Sequence, residues 1–289
     1  VTMLQRSPTY IGALPDVDPF TVRTNKTLPE KPAYVLNRWK SILFQSAQYQ
    51  LSRRFPKFMR NQLMTMAKRR LPEGYDVQKH FGPRYNPWDE RLCLAPNGDL
   101  FKTIRHGKAD VVTDTIERFT ETGIKLTSGQ VIEADIIVTA TGLNLQLFGG
   151  AEIKRNGEPI NLNDTMAYKG MMLTHMPNMA FTIGYTNASW TLKADLVSEF
   201  FCRVLNYMDD NGFDRVEPQH PPGNSVDERP LMDFTPGYVL RALDYLPKAG
   251  HVAPWRLKQN YLLDLRLIRR GKVDDEALAF TRHKVPAAV

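Results

Sequence analysis

The sequence predicts a mixed α/β fold, and three stretches of the chain support that prediction. Four strand-forming residues at 136–139 run into Ala140-Thr141-Gly142, which is typical of a strand buried on both faces that ends at a tight turn. Residues 34–71 are helical in character and have prolines on both sides. Residues 109–134 contain short strand-forming runs separated by turn residues, which predict a β-meander.

Length and composition predict two domains, or parts of two. The chain has 289 residues, of which 42% are hydrophobic, so it can bury a large core. No stretch approaches the roughly twenty apolar residues of a membrane span. Cys93 and Cys202 lie far apart, and no two histidines stand four residues apart, so we expect no disulfide, no metal site and a cytoplasmic protein.

The net charge of +7 restricts the classes of partner. A basic protein can bind nucleic acid, an anionic membrane surface or anionic cofactors. The sequence has no zinc finger and no RNA-recognition signature, so nucleic acid is the least favoured partner. It also has no G-x-S-x-G context for a nucleophile, which disfavours hydrolase chemistry.

Several segments resemble the flavin-containing and Baeyer–Villiger monooxygenases, a family with two dinucleotide-binding domains. The segment ADIIVTATG is similar to the one in which that family's chain leaves the NADPH domain and re-enters the FAD domain. The resemblance continues through YNPWDERLCL, AYKGMM and GYTNASWTLKADLVSEF and covers nearly the whole chain. It implies a Rossmann-like α/β flavoprotein with FAD and NADPH as cofactors, and it makes Ala140, Thr141 and Gly142 candidates for cofactor binding.

The resemblance also implies a division of the chain. We expect residues 1–139 to be the carboxyl-terminal part of an NADPH-binding domain, with a helical insertion at about 30–72. Residues 140–212 would be the carboxyl-terminal part of an FAD-binding domain, and residues 213–289 an extension. No G-x-G-x-x-G motif occurs, so the amino-terminal glycine-rich units of the family are missing, and we expect the carboxyl-terminal part of a longer enzyme.

Arg6 and Ser7 lie at the end of a predicted strand, residues 1–6, which cannot continue through Pro8. In a Rossmann unit, an arginine at the end of the second strand accommodates the 2′-phosphate of NADP, whereas an acidic residue selects NAD. The guanidinium and the hydroxyl are suitable donors to a phosphate. An ordinary surface arginine is the alternative, and the match of LQRSPTY to the family favours the NADP interpretation.

The helical stretch 34–71 is amphipathic and basic. Pro56 predicts a break or kink, and Met59, Leu63 and Met66 would share an apolar face in the second part. Many lysines and arginines surround that face, as in helices that lie on a membrane surface. The commoner explanation is a solvated face over a packed stripe, and peripheral membrane association stays open beside it.

The loop GPRYNPWDERLCL contains the candidate catalytic residue, Arg91. In Baeyer–Villiger enzymes a loop arginine lies over the flavin, and ERLCL resembles that position. A fixed cation beside a developing anion in a dry site stabilises the charge strongly. Either Asp89 or Glu90 can hold this arginine, and the sequence does not separate them. Without the resemblance, the segment would be an ordinary charged loop.

A second candidate site follows a predicted strand at residues 179–183. Gly184 is followed by Tyr185 to Thr191 and then by a strongly helical run, so that backbone N–H groups at the start of the helix can face a ligand. The resemblance implies that Thr186, Asn187 and Ala188 border FAD and that Trp190 lines the substrate cavity. The alternative is a capped helix without a ligand.

The resemblance implies an FAD- and NADPH-dependent monooxygenase that inserts one oxygen of O₂ into ketones, or oxidises sulfur compounds such as thioamides, through a peroxyflavin. The rival hypothesis is a truncated, inactive remnant that binds a partner or a membrane surface. Homo-oligomerisation is also left open. Residues 214–229 are polar and rich in proline, and we expect a linker or surface loop there.

Overall fold

The structure is a computed structural model, and it describes residues 1–90, 92–223, 225–232 and 236–282. The chain divides into two compact units, Val1–Gly142 and Leu143–Val289. Both units combine helices with strands, and the first contains parallel strand pairs. This mixture confirms the α/β class that the sequence predicts.

The first unit begins with a strand and ends after a β-meander. Its helices are α1 (Pro19–Thr27), α2 (Glu30–Arg54), α3 (Pro56–Arg70), α4 (Val77–Phe81) and α5 (Asp99–Arg105). Its strands are β1 (Thr2–Gln5), β2 (Ile11–Leu14), β3 (Cys93–Pro96), β4 (Asp110–Thr113), β5 (Ile116–Thr120), β6 (Gly123–Leu126) and β7 (Val131–Glu133).

The predicted break in the long helical stretch is confirmed at Pro56. Helix α2 ends at Arg54, and Pro56 is the first residue of α3. Proline has no N–H group and its ring clashes with the preceding turn, so it starts a helix well but cannot continue one. Phe55 connects the two helices, because its N–H group bonds to Leu51 and its carbonyl accepts from Met59.

Parallel strand pairs with helices packed on them form the core of the first unit. Strand β1 pairs with β4 and β2 pairs with β3, both in parallel, whereas β5, β6 and β7 form an antiparallel meander. Side chains of α3, α4 and α5 pack with β4 in one apolar cluster, which contains Ala67, Leu71, Val77, Phe81, Phe101, Ile104 and Val111. Ligands of such α/β units bind at the carboxyl ends of the strands.

The second unit has short strands around one long helix. Its helices are α6 (Trp190–Asn211), α7 (Gly237–Leu240) and α8 (Tyr261–Asp264), with a π-helical segment at Leu265–Arg269 and 3₁₀ turns at Leu147–Gly150, Leu162–Asp164 and Leu243–Tyr245. Its strands are β8 (Lys154–Arg155), β9 (Glu158–Pro159), β10 (Ala167–Tyr168), β11 (Met172–Leu173), β12 (Arg215–Pro218), β13 (Glu228–Pro230), β14 (Lys248–Gly250) and β15 (Leu278–Thr281).

Helix α6 is the strongly helical run that the sequence predicts after the turn at Gly184, and it is amphipathic. Its buried side chains recur at a spacing of four or close to it, which places them on one face: Leu192, Leu196, Val197, Phe200, Val204 and Met208. The helix ends at Gly212, whose φ of 65° is left-handed and suits glycine. The N–H group of Phe213 then bonds to the carbonyl of Met208 at 2.8 Å.

The predicted strands at 136–139 and 179–183 are both wrong. Neither run belongs to a β-ladder in the part of the chain that the structure describes. Ile136 and Val138 are 81% and 84% exposed, the opposite of the predicted burial. A buried strand needs neighbouring strands to accept and donate its backbone hydrogen bonds, and no described strand pairs with these runs.

The predicted linker at 214–229 also contains regular structure. Strand β12 pairs in antiparallel with β15, and β13 pairs in antiparallel with β14. Polar and proline-rich composition indicated a loop, but hydrogen bonds to strands more than fifteen residues further along the chain override that local signal. Residues 213–289 belong to the same compact unit as α6.

Candidate cofactor site

Arg6 and Ser7 lie directly after β1, at the carboxyl end of a parallel strand pair. Both residues are exposed. Beside them, the amide of Gln5 donates to the carbonyl of His80 and to the hydroxyl of Thr113, each at 2.8 Å. The structure thus holds the carboxyl ends of β1 and β4 together and leaves the guanidinium that follows β1 open to solvent.

Two titratable residues, His80 and Asp114, lie beside this strand end. Burial lowers the pKa of His80, with Lys79 adding to the effect, so the imidazole is neutral near pH 7. Its Nδ1 lies 2.9 Å from the hydroxyl of Thr113. A hydrogen bond from the Ser128 side chain lowers the pKa of the neighbouring Asp114, and the N–H groups of Thr115 and Ser128, which also donate to this carboxylate, add to the effect. These bonds stabilise the charge of the nearby carboxylate.

Ala140, Thr141 and Gly142 end the first unit in an exposed segment without regular secondary structure. Gly142 has a φ of 124°, which side-chain-bearing residues rarely adopt, and no heavy atom stands within 4 Å of the place where a Cβ atom would be. The backbone here is therefore accessible at close range. The buried strand that the sequence places before it is absent, as described above.

Thr186, Asn187 and Ala188 belong to a short segment before α6, residues 184–189, which we name the junction. These three residues are half-buried. The amide oxygen of Gln259 accepts from the N–H group of Thr186 at 2.9 Å and from its hydroxyl at 3.3 Å. The amide of Asn187 donates to the backbone carbonyl of Gln259 at 2.9 Å. A residue more than seventy positions away therefore holds the junction.

A buried ion pair between Lys193 and Asp264 is hydrogen-bonded to Tyr185 of the junction. Asp264 accepts from the hydroxyl of Tyr185 and from Lys193 Nζ, each at 2.8 Å, and the side chains of Lys193 and Asp264 are 5% and 7% exposed. Lys193 also donates to the carbonyl of Lys169 at 3.1 Å. Burial, and then the neighbouring carboxylate of Asp264, raise the pKa of Tyr185, so its hydroxyl stays protonated and donates.

A second ion pair, between the buried Lys169 and the half-buried Asp275, lies close to the first. Lys169 Nζ is 2.9 Å from Asp275 Oδ2 and 4.4 Å from the centre of the Phe200 ring. Burial lowers the pKa of Lys169, and the carboxylate of Asp275 opposes that effect. The hydroxyl of Tyr168 also donates to Asp275. Both buried lysines therefore join the region of α6 to the carboxyl-terminal part of the unit.

The sequence did not reveal Gln259, Lys193 or Asp264. One signal was present for Lys193, because it stands between Leu192 and Leu196 on the buried face of α6. A charged residue in an apolar stripe predicts a buried partner. No local pattern marks Gln259 or Asp264.

Arg91, the candidate catalytic residue, lies outside the described residues. The preceding part of its loop is described. Asp89 pairs with Arg53 of α2 at 2.6 Å and accepts from the N–H group of Asn86. Trp88 has a φ of 73°, and its ring packs edge-on against Tyr49 at 5.7 Å. Contacts to α2 therefore hold this loop at Trp88 and Asp89.

The residues present fit parts of two dinucleotide sites. An exposed arginine and serine at a strand end suit a phosphate, and the open backbone at Gly142 lets a ligand approach closely. The glycine-rich loop that cradles a pyrophosphate has no counterpart in the sequence.

Trp190, the candidate for the substrate cavity, is 59% exposed at the start of α6. Among the described residues, no three of His, Cys, Asp or Glu lie together as metal ligands would.

Solved structures share this fold at low sequence identity. A steroid monooxygenase bound to NADP superposes with a TM-score of 0.60 at 14% identity, over 97% of this chain and 62% of that chain. The monooxygenase OTEMO in complex with FAD and NADP gives 0.59 at 15% identity, with coverage of 97% and 62%. A cyclohexanone monooxygenase with bound ε-caprolactone gives 0.56 at 15%, with 97% and 61%. At such identities the likeness concerns the fold.

Curated relatives are much more similar in sequence, although no family model matches the chain. The FAD-containing monooxygenase EthA of Mycolicibacterium smegmatis is 74% identical over 284 residues, which are 98% of this chain and 58% of the relative. EthA of Mycobacterium tuberculosis is 64% identical over 289 residues, 100% of this chain and 59% of the relative. The probable FAD-binding monooxygenase AlmA of Acinetobacter baylyi is 46% identical over 282 residues, with 98% and 56% covered. The chain spans a little under three fifths of each relative, and over that length it is similar to FAD-containing monooxygenases.

Proposed function

We propose that this chain is part of an NADPH- and FAD-dependent monooxygenase of the Baeyer–Villiger type. The observation that carries the proposal is the 74% identity with an FAD-containing monooxygenase over 98% of the chain. Fold likeness to a steroid monooxygenase and to cyclohexanone monooxygenase supports the Baeyer–Villiger class. The substrate class would be a ketone or a sulfur compound such as a thioamide. The similarity does not favour the rival hypothesis of an inactive remnant.

The first unit would bind NADPH and the second would border FAD. Arg6 and Ser7 would hold the 2′-phosphate, because an exposed guanidinium and a hydroxyl at a strand end recognise a phosphate dianion. Thr186, Asn187 and Ala188 of the second unit would line the FAD through backbone and small side chains. Ala140, Thr141 and Gly142, at the end of the first unit, stay candidates for cofactor binding.

When bound, FAD supplies hydride acceptance from NADPH and the activation of O₂. The protein residues supply orientation, exclusion of water and charge stabilisation. Arg91 would place a permanent positive charge where negative charge develops during oxygen transfer, which lowers the barrier more in a dry site than in water. Arg53 and Asp89 hold the loop that leads to Arg91. Trp190 would form part of the substrate cavity.

Flavin absorbance tests the proposal. The chain, and a version extended to the length of its relatives, are each mixed with FAD, desalted and then treated with NADPH under air. We expect the extended protein to retain flavin that NADPH bleaches and O₂ restores, and the 289-residue chain to retain little, because it lacks a glycine-rich loop. A colourless extended protein would overturn the proposal. Faster NADPH consumption with a cyclic ketone or a thioamide tests the substrate class.

We also propose that α2 attaches the protein to an anionic lipid surface. Val35, Trp39 and Leu43 stand four residues apart on this helix and are 52%, 38% and 52% exposed. Lysines and arginines lie along the same helix and the next, and the net charge is +7. Apolar side chains flanked by cations favour the interface of an anionic bilayer. The described residues include no helix that is both long and apolar enough to span a membrane.

Sedimentation with vesicles tests this attachment. The extended protein should sediment with phosphatidylcholine vesicles that contain phosphatidylglycerol, and less with phosphatidylcholine alone or at high salt. Trp39→Ser with Leu43→Ser should abolish sedimentation. The matched control, Phe119→Ser with Val131→Ser, removes apolar residues of similar exposure from the meander and should leave sedimentation unchanged.

If the 289-residue chain binds vesicles and the extended protein does not, the added residues cover α2 and the attachment is excluded. A dimer without vesicle binding would indicate a second copy as the occupant.

A further inference from the structure

The junction that the proposed function places at FAD is fastened to one segment, residues 259–264. Gln259 binds Thr186 through its side chain and Asn187 through its backbone carbonyl. Asp264 binds the hydroxyl of Tyr185. Three consecutive junction residues therefore take their conformation from partners more than seventy residues later.

The fastening segment is itself held in place. Asn260, next to Gln259, caps α8 by accepting from the N–H group of Leu263 at 3.2 Å. The Tyr261 ring packs edge-on against Tyr185, with ring centres 6.4 Å apart. Asp264 at the end of α8 is paired with the buried Lys193. Gln259 therefore acts on the junction from a fixed position.

We infer that Gln259 is a positioning residue for the flavin. Its amide oxygen fixes the direction of the Thr186 peptide N–H, and its backbone carbonyl fixes the Asn187 side chain. Together they set the conformation of the backbone that borders the flavin ring. This inference rests on the proposed function. The amide is neutral, so it orients the junction without adding a charge beside a ring that accepts electrons during reduction.

Two substitutions separate positioning from a merely structural role. Gln259→Leu removes the acceptor of Thr186 while keeping a side chain of similar length. Gln259→Glu keeps an oxygen acceptor at the same place but adds a negative charge. The matched control is Gln219→Leu, because Gln219 is an exposed glutamine of the same unit whose amide donates to the carbonyl of Glu217.

The experiment measures FAD affinity and flavin reduction potential in the protein extended to the length of its relatives. We expect Gln259→Leu to weaken FAD binding about tenfold or more, as expected when polar groups at a binding surface lose their partner. We expect Gln259→Glu to retain FAD with a more negative reduction potential, because an added anion disfavours electron uptake. Gln219→Leu should match the wild type in both measurements.

The outcomes distinguish a failure of the positioning role of Gln259 from a failure of the proposed function. If the wild type binds FAD and both Gln259 variants match its affinity and potential, the positioning role is overturned and the proposed function stands. If the extended wild type binds no FAD, the proposed function fails and this inference fails with it. If Gln259→Leu does not fold, the potential of Gln259→Glu decides, since a structural role alone leaves that potential unchanged.

Discussion

The indole of Trp190 lies against the backbone of Gly184, so that a Cβ atom added to Gly184 would stand 2.1 Å from Trp190 Cγ. Gly184, the first residue of the junction, is therefore required for packing within the protein. The same contact fixes the first residue of α6 relative to the junction. The sequence-based interpretation of Gly184 as a turn before a ligand site did not include this contact.

Gly184→Ala should destabilise the second unit by about 1–3 kcal/mol, because the methyl group overpacks against the indole. The free energy of unfolding in urea measures the effect. Trp190→Ala in the same chain should recover most of the loss, since it removes the clashing ring. If the double variant is no more stable than Gly184→Ala, the contact is not the cause.

Breaking the buried pair of Lys193 and Asp264 from one side should be costly. Lys193→Met leaves a buried carboxylate without its cationic partner, although the neutral hydroxyl of Tyr185 still donates to it, and we expect a loss of about 3–5 kcal/mol. The double variant Lys193→Met with Asp264→Leu should lose much less, because it leaves no unpaired charge. Denaturant unfolding of the single and double variants measures the coupling. Losses that simply add would contradict a direct interaction.

Arg6→Ala should raise the KM for NADPH about ten- to a hundredfold and leave the KM for NADH nearly unchanged, because the 2′-phosphate is the only group that differs. Steady-state kinetics of the extended protein provide the measurement. Arg23→Ala, an exposed arginine on α1, is the matched control for loss of one positive charge. Equal effects on both cofactors would exclude Arg6 as the selecting residue.

The first unit should lose stability as the pH falls below neutrality. Burial lowers the pKa of His80 from its ordinary 6.5, so near pH 6 the unfolded chain binds more protons than the folded unit. Stability then rises with pH in this window and is lost as the pH falls through 6.5 towards the folded pKa. His80→Asn keeps a polar partner for Thr113 but cannot titrate. Unfolding midpoints between about pH 5 and pH 8 should therefore depend less on pH in this variant. An unchanged slope would exclude His80.

Local sequence signals predicted the helices well. The break at Pro56 follows from the missing N–H group of proline, and α6 follows from a run of helix-forming residues; both signals act within a few residues. The strand at β1 was also predicted, because Pro8 marks where a strand must stop. These features depend on the backbone and on neighbours along the helix or strand.

Features that depend on distant partners were missed. Residues 136–139 have strand-forming side chains, but a strand exists only where another strand pairs with it. The bonds of Gln259 to the junction join residues more than seventy positions apart, and nothing in the local sequence distinguishes that glutamine from others. The roles of Arg6, Ser7 and Arg91 stay predictions that the kinetic and spectroscopic experiments address.

The exposed run at 136–139 has a consequence for handling the protein. It is uncharged, rich in β-branched residues and without a strand partner among the described residues, and Ile136 and Val138 face solvent. Such a segment readily pairs with the same segment of another molecule. The 289-residue chain should therefore precipitate as its concentration rises. A longer chain that provides a neighbouring strand should stay in solution, so light scattering can report whether the sheet is complete.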